Sequence, residues 1–87
     1  MWIISVNRKI IRKLFKLPEK VQLQFEVLLL DLEETGPIQP EWKNYSKLNN
    51  NKYHCHLTYN YVACWSCGYN TIEIEVFYVG SRENAPY

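Results

Sequence analysis

The chain has 87 residues, of which 47% are hydrophobic and 15% aromatic, and its formal net charge is only +1. A chain of this length forms one small domain, residues 1–87, whose stability depends on efficient packing of a single core. The near-neutral charge excludes polyanion binding through bulk positive charge, so any affinity for nucleic acid requires a local basic patch.

Charge is distributed unevenly between the first two segments of the chain. The charged side chains of residues 1–20 sum to +5. The charged side chains of residues 21–42 are all acidic and sum to −5. This pattern is typical of two solvated helix faces of opposite sign, or of a dipolar surface that meets a charged partner.

The three cysteines are an odd number, and no secretory signal precedes them. Such a chain is expected in a reducing compartment, which here predicts the cytoplasm. No apolar run approaches the roughly 18 to 20 residues that span a bilayer. The apolar start, Trp2–Val6, is too short for a signal peptide and predicts a first strand.

Two helices are predicted after that strand. Asn7 is a good N-cap for a first helix through about Leu17, which places five basic residues on its outer face: Arg8, Lys9, Arg12, Lys13 and Lys16. Pro18 fits the first turn of a second helix that ends near Thr35, before Gly36-Pro37.

The second helix has more apolar surface than one neighbour covers. Its main stripe consists of Val21, Phe25, Leu28, Leu29 and Leu32. Three further residues, Leu23, Val27 and Leu30, broaden that stripe. Either the helix lies between the sheet and the first helix, or part of it meets a partner protein.

The second half of the chain predicts an antiparallel meander. After the stiff connection 37–40 and a short segment at 45–48, strands are expected at Tyr53–Thr58, Tyr61–Ser66 and Thr71–Val79. The predicted fold class is therefore α+β. An N-terminal strand, a helical hairpin and a three-stranded meander form one sheet, with the helices packed on one face.

Strand periodicity assigns the polar residues to the other face. His54, His56 and Thr58 share one side of their strand, opposite Tyr53, Cys55 and Leu57. In the last strand, the residues expected to point toward the helices are Ile72, Ile74, Val76 and Tyr78. The resulting polar surface suits a substrate, although half-exposed sheets are also polar for solubility alone.

The C-terminal residues 80–87 place Arg82 and Tyr87 just beyond the last strand. Arginine offers a rigid fork of donors for a phosphate, and tyrosine can stack on a base or handle a proton. The pair predicts RNA chemistry at a strand end. The alternative is a charged tail whose Tyr87 caps the core.

The spacing Cys64-x-x-Cys67 resembles half of a zinc knuckle, which His54 and His56 would have to complete. Because no second pair with that spacing follows, no metal site is predicted. The pair is better explained by a buried Cys64 and a solvent-side Cys67. A redox site is not favoured either, because no strand-to-helix step follows the pair to lower a thiol pKa.

The order of the elements resembles the RelE/ParE superfamily of toxins from bacterial toxin-antitoxin modules. The resemblance covers nearly the whole chain and rests on Lys47-Leu48, on the run 53–57 followed by 61–65, and on the ending 78–82. Its RelE branch is known for cutting messenger RNA in the ribosomal decoding site without a metal or other cofactor. An antitoxin protein neutralises these toxins.

The resemblance implies a role for each candidate site residue. Arg82 would stabilise the transition state, Tyr87 would stack on the substrate base, and His54 and His56 lie where many relatives have lysines. The imidazoles would exchange protons with the 2′-hydroxyl and the leaving 5′-oxygen, so DNA would not be cut. The basic residues expected to bind RNA are Lys47, Lys52, Arg12, Lys13 and Lys16.

Two departures from the family pattern keep other functions open. The chain is almost neutral, whereas RelE-type toxins are usually strongly basic, and an arginine often present in the strand at 61–63 is missing. The alternatives are a ParE-like inhibitor of DNA gyrase and a catalytically lapsed relative that only binds its antitoxin. In each case an antitoxin segment would lie over the sheet face or the helical hairpin.

Overall fold

Two helices and five strands follow one another in an α+β arrangement. The computed structural model describes all residues, 1–87. Its elements are β1 (Ile3–Val6), α1 (Arg8–Leu14), α2 (Glu19–Thr35), β2 (Ser46–Lys47), β3 (Lys52–His56), β4 (Tyr61–Cys67), β5 (Glu73–Ser81) and a 3-10 turn (Arg82–Asn84). Neither helix has the length and apolar character needed to cross a membrane.

The strands form one mixed sheet in the order β1-β5-β4-β3-β2. The last four strands pair antiparallel with one another, as the predicted meander requires, and the short segment near 45–48 adds β2 at its edge. β1 pairs parallel with β5. A parallel pair needs a long crossover, and the two helices begin that connection. The predicted α+β class is confirmed.

The first helix begins as predicted and ends early. The Asn7 side chain accepts a hydrogen bond from the Ile10 backbone N–H at 2.9 Å, which satisfies one of the free donors of the first turn. α1 ends at Leu14 rather than Leu17. The N–H groups of residues 16 and 17 bond to carbonyls three residues earlier, because the residue before Pro18 disfavours α-helical geometry.

The core lies between the helices and one face of the sheet. α2 contributes Val21, Phe25, Leu28 and Leu32 to a cluster that contains Trp65, Ile74 and Val76 from the sheet. The Trp65 indole N–H donates to the Pro37 carbonyl at 3.1 Å and ties the connection after α2 to the sheet. Leu23, Val27 and Leu30 stay exposed, so α1 does not cover that side of α2.

A β-bulge changes which side chains of β5 face the core. Cys64 pairs with Tyr78 and Trp65 pairs with Val76, which leaves Phe77 as the extra residue. Val76 faces the helices as predicted, but beyond the bulge Val79 takes the core position. The predictions that Tyr78 and Ile72 point toward the helices are wrong: Tyr78 lies on the opposite face, and Ile72 precedes the strand and is exposed.

Candidate functional site

The face of the sheet opposite the helices carries the two histidines in adjacent rows. Strand pairing aligns Ser46, His54, Cys64 and Tyr78 in one row, and His56, Val62 and Gly80 in the next. β2 exists only as two residues, yet it brings Ser46 beside His54. The bulge in β5 brings Tyr78 into the same row.

This face is covered where the histidines lie, although the sequence predicts an open surface. His54 and His56 each expose 8% of their surface, and Val62 and Cys64 are fully buried. The C-terminal segment (residues 82–87), which begins with the 3-10 turn, returns over the sheet. The ring of Tyr87 then lies 4.4 Å from the His54 ring, measured between centroids.

Arg82 begins the C-terminal segment at the end of β5. Its backbone N–H donates to the Asn60 carbonyl at 2.9 Å, which fixes the turn against the β3–β4 connection. The guanidinium lies over the ring of Tyr59, 4.6 Å from its centroid, in a cation–π contact. The side chain is exposed, so its donors remain accessible to a ligand.

The structure brings all four predicted catalytic residues together. The His54 and His56 rings are 5.9 Å apart, and Tyr87 lies against His54. The positive charge of Arg82 lowers the pKa of His56, and it also opposes the rise in the pKa of Tyr87. These groups therefore share one electrostatic environment.

Both imidazoles have a neighbour at the same ring nitrogen. The Ser46 Oγ lies 2.9 Å from Nδ1 of His54, within hydrogen-bond distance. The Asn44 Nδ2 lies 3.5 Å from Nδ1 of His56, at the long limit of such a bond. Asn44 has a left-handed backbone with φ of +54°, which asparagine tolerates better than most residues.

Burial is the largest cause of the lowered pKa of both histidines. The pKa of His54 is lowered by burial and then by His56, against a hydrogen bond to the Ser46 backbone. The pKa of His56 is lowered by burial, then by Arg82 and Lys43, against a hydrogen bond to the Tyr59 backbone. Burial raises the pKa of Tyr87, so its phenol stays protonated.

The predicted RNA-binding residues occupy three different places. Lys13 reaches from α1 to the Tyr78 ring, 4.7 Å from its centroid, and Lys52 lies on the histidine face over Phe77, at 5.3 Å. Lys47 contacts the Tyr53 ring, on the helix side of the sheet. Arg12 and Lys16 are exposed on α1. The structure thus places Lys13 and Lys52 on the histidine face and the other three elsewhere.

The two cysteines of the Cys-x-x-Cys spacing belong to opposite faces. Cys64 lies in the His54 row, whereas Cys67 belongs to the hydrophobic core. The expectation of a solvent-side Cys67 is wrong, because the period-two alternation of β4 puts Ala63, Trp65 and Cys67 on the core face. Burial raises the pKa of Cys64 to about 12, which keeps it a thiol. No group of three or more potential metal ligands is present.

Sequence reasoning missed four residues that border the histidines: Lys43, Asn44, Ser46 and Tyr59. All lie in or beside connections, where periodicity carries no signal. Lys43 could have been found only by knowing that its carbonyl accepts the His56 backbone N–H, at 2.8 Å. Asn44 and Ser46 precede β3 in the sequence, and their proximity to the histidines follows only from the pairing of β2 with β3.

Solved toxin structures share this fold. The archaeal RelE of the RelE–RelB complex from Pyrococcus horikoshii OT3 superposes with a TM-score of 0.72 at 17% identity, covering 97% of this chain and 98% of that one. Isolated E. coli RelE superposes with a TM-score of 0.71 at 16% identity, covering 99% of this chain and 89% of that one. A chain of the YoeB–YefM complex from Staphylococcus aureus superposes with a TM-score of 0.69 at 11% identity, covering 94% of this chain and 98% of that one.

These identities are low, and the likeness is one of fold. No family model matches the sequence, and no curated protein matches it. The superpositions nevertheless extend over almost the whole chain, including the sheet that carries the histidines. The chain therefore has the fold of the RelE and YoeB toxins, in agreement with its resemblance to the RelE branch of the RelE/ParE superfamily.

Proposed function

We propose that the chain is the toxin of a toxin-antitoxin module and acts as a metal-independent endoribonuclease on messenger RNA, on the ribosome in the cytoplasm. The observation that carries the proposal is the cluster of His54, His56 and Tyr87 on one face of a RelE-like sheet, with the charge of Arg82 acting on His56. Two imidazoles can transfer the protons and a guanidinium can stabilise the charge in phosphate transfer from a 2′-hydroxyl.

The reaction begins with attack of the ribose 2′-oxygen on the adjacent phosphorus. A new O2′–P bond forms, the P–O5′ bond breaks, and the products are a 2′,3′-cyclic phosphate and a free 5′-hydroxyl. One imidazole accepts the 2′-hydroxyl proton, and the other, as imidazolium, gives a proton to the leaving 5′-oxygen. The centroids of the two rings are 5.9 Å apart.

The surroundings of the two rings favour one division of labour. Arg82 and Lys43 are permanent cations that lower the pKa of His56, whereas only His56 itself acts on His54 in this way. Because these two fixed charges act on His56 and not on His54, we assign the single proton shared by the pair to His54. His56 is the base that accepts the 2′-hydroxyl proton, and His54 is the acid.

Arg82 and Tyr87 hold the substrate in this scheme. Arg82 stabilises the negative charge that develops on the phosphorane-like transition state, and its fixed charge requires no proton transfer. Tyr87 stacks on a base. Because Tyr87 covers His54, RNA must move the C-terminal segment before a phosphate reaches that ring.

The exposed side of α2 supports an antitoxin as partner. Leu23, Val27 and Leu30 expose 57%, 46% and 64% of their surfaces and follow helical spacing. Such an unpartnered stripe fits an apolar segment of another chain. The archaeal RelE and the S. aureus YoeB were each solved with a partner, RelB and YefM respectively.

Controlled expression in bacteria tests the proposal. We expect growth arrest, cleaved messages and RNA ends that carry 2′,3′-cyclic phosphates. Arg82→Ala should lower cleavage by about 10²- to 10³-fold, the usual loss for one transition-state donor. His54→Ala/His56→Ala should abolish it. Growth arrest with intact messages and broken DNA would instead identify a gyrase inhibitor, whose toxicity should survive both changes.

A second candidate is a lapsed relative that keeps only its antitoxin interface. Two observations favour it: the net charge of +1, and the apolar Val62 at the centre of the His56 row. Expression without any effect on growth or RNA, together with tight binding of an antitoxin, would support this alternative.

A further inference from the structure

A cleft of about 400 Å³ opens beside His56. It lies where the start of α2, the connection before β2 and the β3–β4 turn meet. Its polar and aromatic lining includes Lys20, Glu41, Trp42, Lys43, His56 and Tyr59. Tyr87 does not line it, so the cleft adds to the four residues of the candidate site.

The cleft has positive charge that is only partly balanced. Lys20 and Lys43 come from different elements, and Glu41 is the single carboxylate of the lining. Arg82 and Lys43 both lower the pKa of His56, and no carboxylate acts on that ring in the opposite direction. Cations that outnumber the carboxylates of a cleft favour the binding of an anion such as phosphate.

Tyr59 connects this cleft to the predicted site of cleavage. Its ring lines the cleft and also carries the Arg82 guanidinium, 4.6 Å from its centroid. Tyr59 is 69% exposed, and no other element covers it. Arg82 is thereby held at the boundary between the cleft and the histidine pair.

We propose that this cleft binds the 5′-phosphate of the nucleotide that supplies the attacking 2′-hydroxyl. The inference rests on the proposed function, in which His56 accepts the proton of that hydroxyl. A nucleotide with its 2′-hydroxyl at His56 carries its own 5′-phosphate one position upstream of the phosphate that is cut. Lys43 and Lys20 are the groups that bind it, and Tyr59 positions Arg82.

Binding of short, non-cleavable RNA tests the inference without measuring cleavage. The probes are 2′-O-methyl dinucleotides without a terminal phosphate, with a 5′-phosphate, or with a 3′-phosphate. Titration calorimetry should show that the 5′-phosphate tightens binding roughly two- to fivefold, within the range for one exposed charge contact. The 3′-phosphate should add much less.

Matched lysine variants locate the contact. Lys43→Ala should remove the gain from the 5′-phosphate, and Lys20→Ala should reduce it. Lys9→Ala makes the same change of charge on α1, outside the cleft, and should keep the gain. Both cleft lysines are exposed, and the contact of Lys43 with His56 is made by its backbone, so these variants should fold.

Two results would overturn the inference: equal affinity for the probes with and without a 5′-phosphate, or a gain that persists in Lys43→Ala. The outcomes separate the two proposals. If the chain cleaves messages but ignores the 5′-phosphate, the cleft assignment alone is wrong. If the phosphate gain depends on Lys43 while messages stay intact, the cleft assignment holds and the nuclease proposal fails.

Discussion

Tyr87 covers His54, with the two rings at a centroid distance of 4.4 Å and tilted by 45°. The contact links residue 87 to β3, the first strand of the three-stranded meander. It also explains why a histidine on the side of the sheet without helices exposes only 8% of its surface. The imidazole is therefore largely shielded from solvent before any substrate arrives, and burial is the largest cause of its lowered pKa.

Removal of the Tyr87 ring should change both the acidity of His54 and the reaction. In Tyr87→Ala, solvent reaches the imidazole, so its pKa should rise toward the ordinary value of about 6.5. Loss of base stacking, at about 1–3 kcal/mol per base, should weaken cleavage roughly 5- to 150-fold. An NMR titration of the histidine ring protons measures the first effect, and a cleavage assay measures the second.

Tyr69→Ala is the matched control for that change. Tyr69 is 90% exposed in the β4–β5 connection and does not contact the histidines. It should leave the titration of His54 unchanged. An unchanged His54 titration in Tyr87→Ala would contradict the covering role of the ring.

Ser46 should act on the reaction through the orientation of His54. The Ser46 Oγ lies 2.9 Å from Nδ1, so Ser46→Ala frees the imidazole to rotate and to change tautomer. We expect kcat to fall about tenfold, at the lower end for loss of an orienting partner, with KM little changed and an altered pH profile. Ser66→Ala is the control, since Ser66 pairs with Lys52 and Glu75 and has no bond to a histidine.

Much of the fold follows from periodicity and from breakers in the sequence. The N-cap at Asn7, the long helix that ends before Gly36 and the three strands of the meander are all local signals. The bulge that moves Tyr78 to the histidine face is not local. It depends on how β4 and β5 pair, and a one-residue slip there moves every later side chain to the other face.

The candidate site is partly predictable for the same reason. His54 and His56 share a face because they are two residues apart in a strand, and Arg82 follows the end of β5. The burial of both rings comes from the return of the C-terminal segment over the sheet, a tertiary contact without a periodic signature. The partners Asn44 and Ser46 depend on the pairing of a two-residue edge strand.

Gly36 should be required for stability. Its φ is +89°, and a Cβ placed there would lie 2.6 Å from Cε2 of the Trp2 indole. Gly36→Ala must strain the backbone and displace the indole, which we expect to cost about 2–4 kcal/mol of unfolding free energy. Gly68→Ala is the control, because its Cβ would meet only Thr71 Cγ2, at 3.4 Å. Urea unfolding of both variants measures the difference; equal stabilities would contradict the packing of Trp2 against Gly36.

The two histidines should make stability fall as the solution becomes acidic. Both have a pKa below the ordinary value in the folded chain, because burial disfavours their charged forms. Between that ordinary value of about 6.5 and the lowered folded values, the unfolded chain binds more protons than the folded chain. Unfolding free energy should therefore decrease as pH falls through this window, and the histidines should contribute nothing to the slope above it.

Denaturant unfolding at a series of pH values from 7.5 to about 4.5 measures this slope, which is about 1.4 kcal/mol per pH unit for each proton taken up on unfolding. His54→Gln/His56→Gln should have a flatter profile than the parent between pH 6.5 and 5, whatever its stability at pH 7.5. The pH dependence of cleavage should be set by the same two histidines. Its rate should peak below neutral pH, where the pair holds one proton, and decline on either side. An optimum above pH 8 would contradict the exchange of protons by this pair and would require a group of higher pKa.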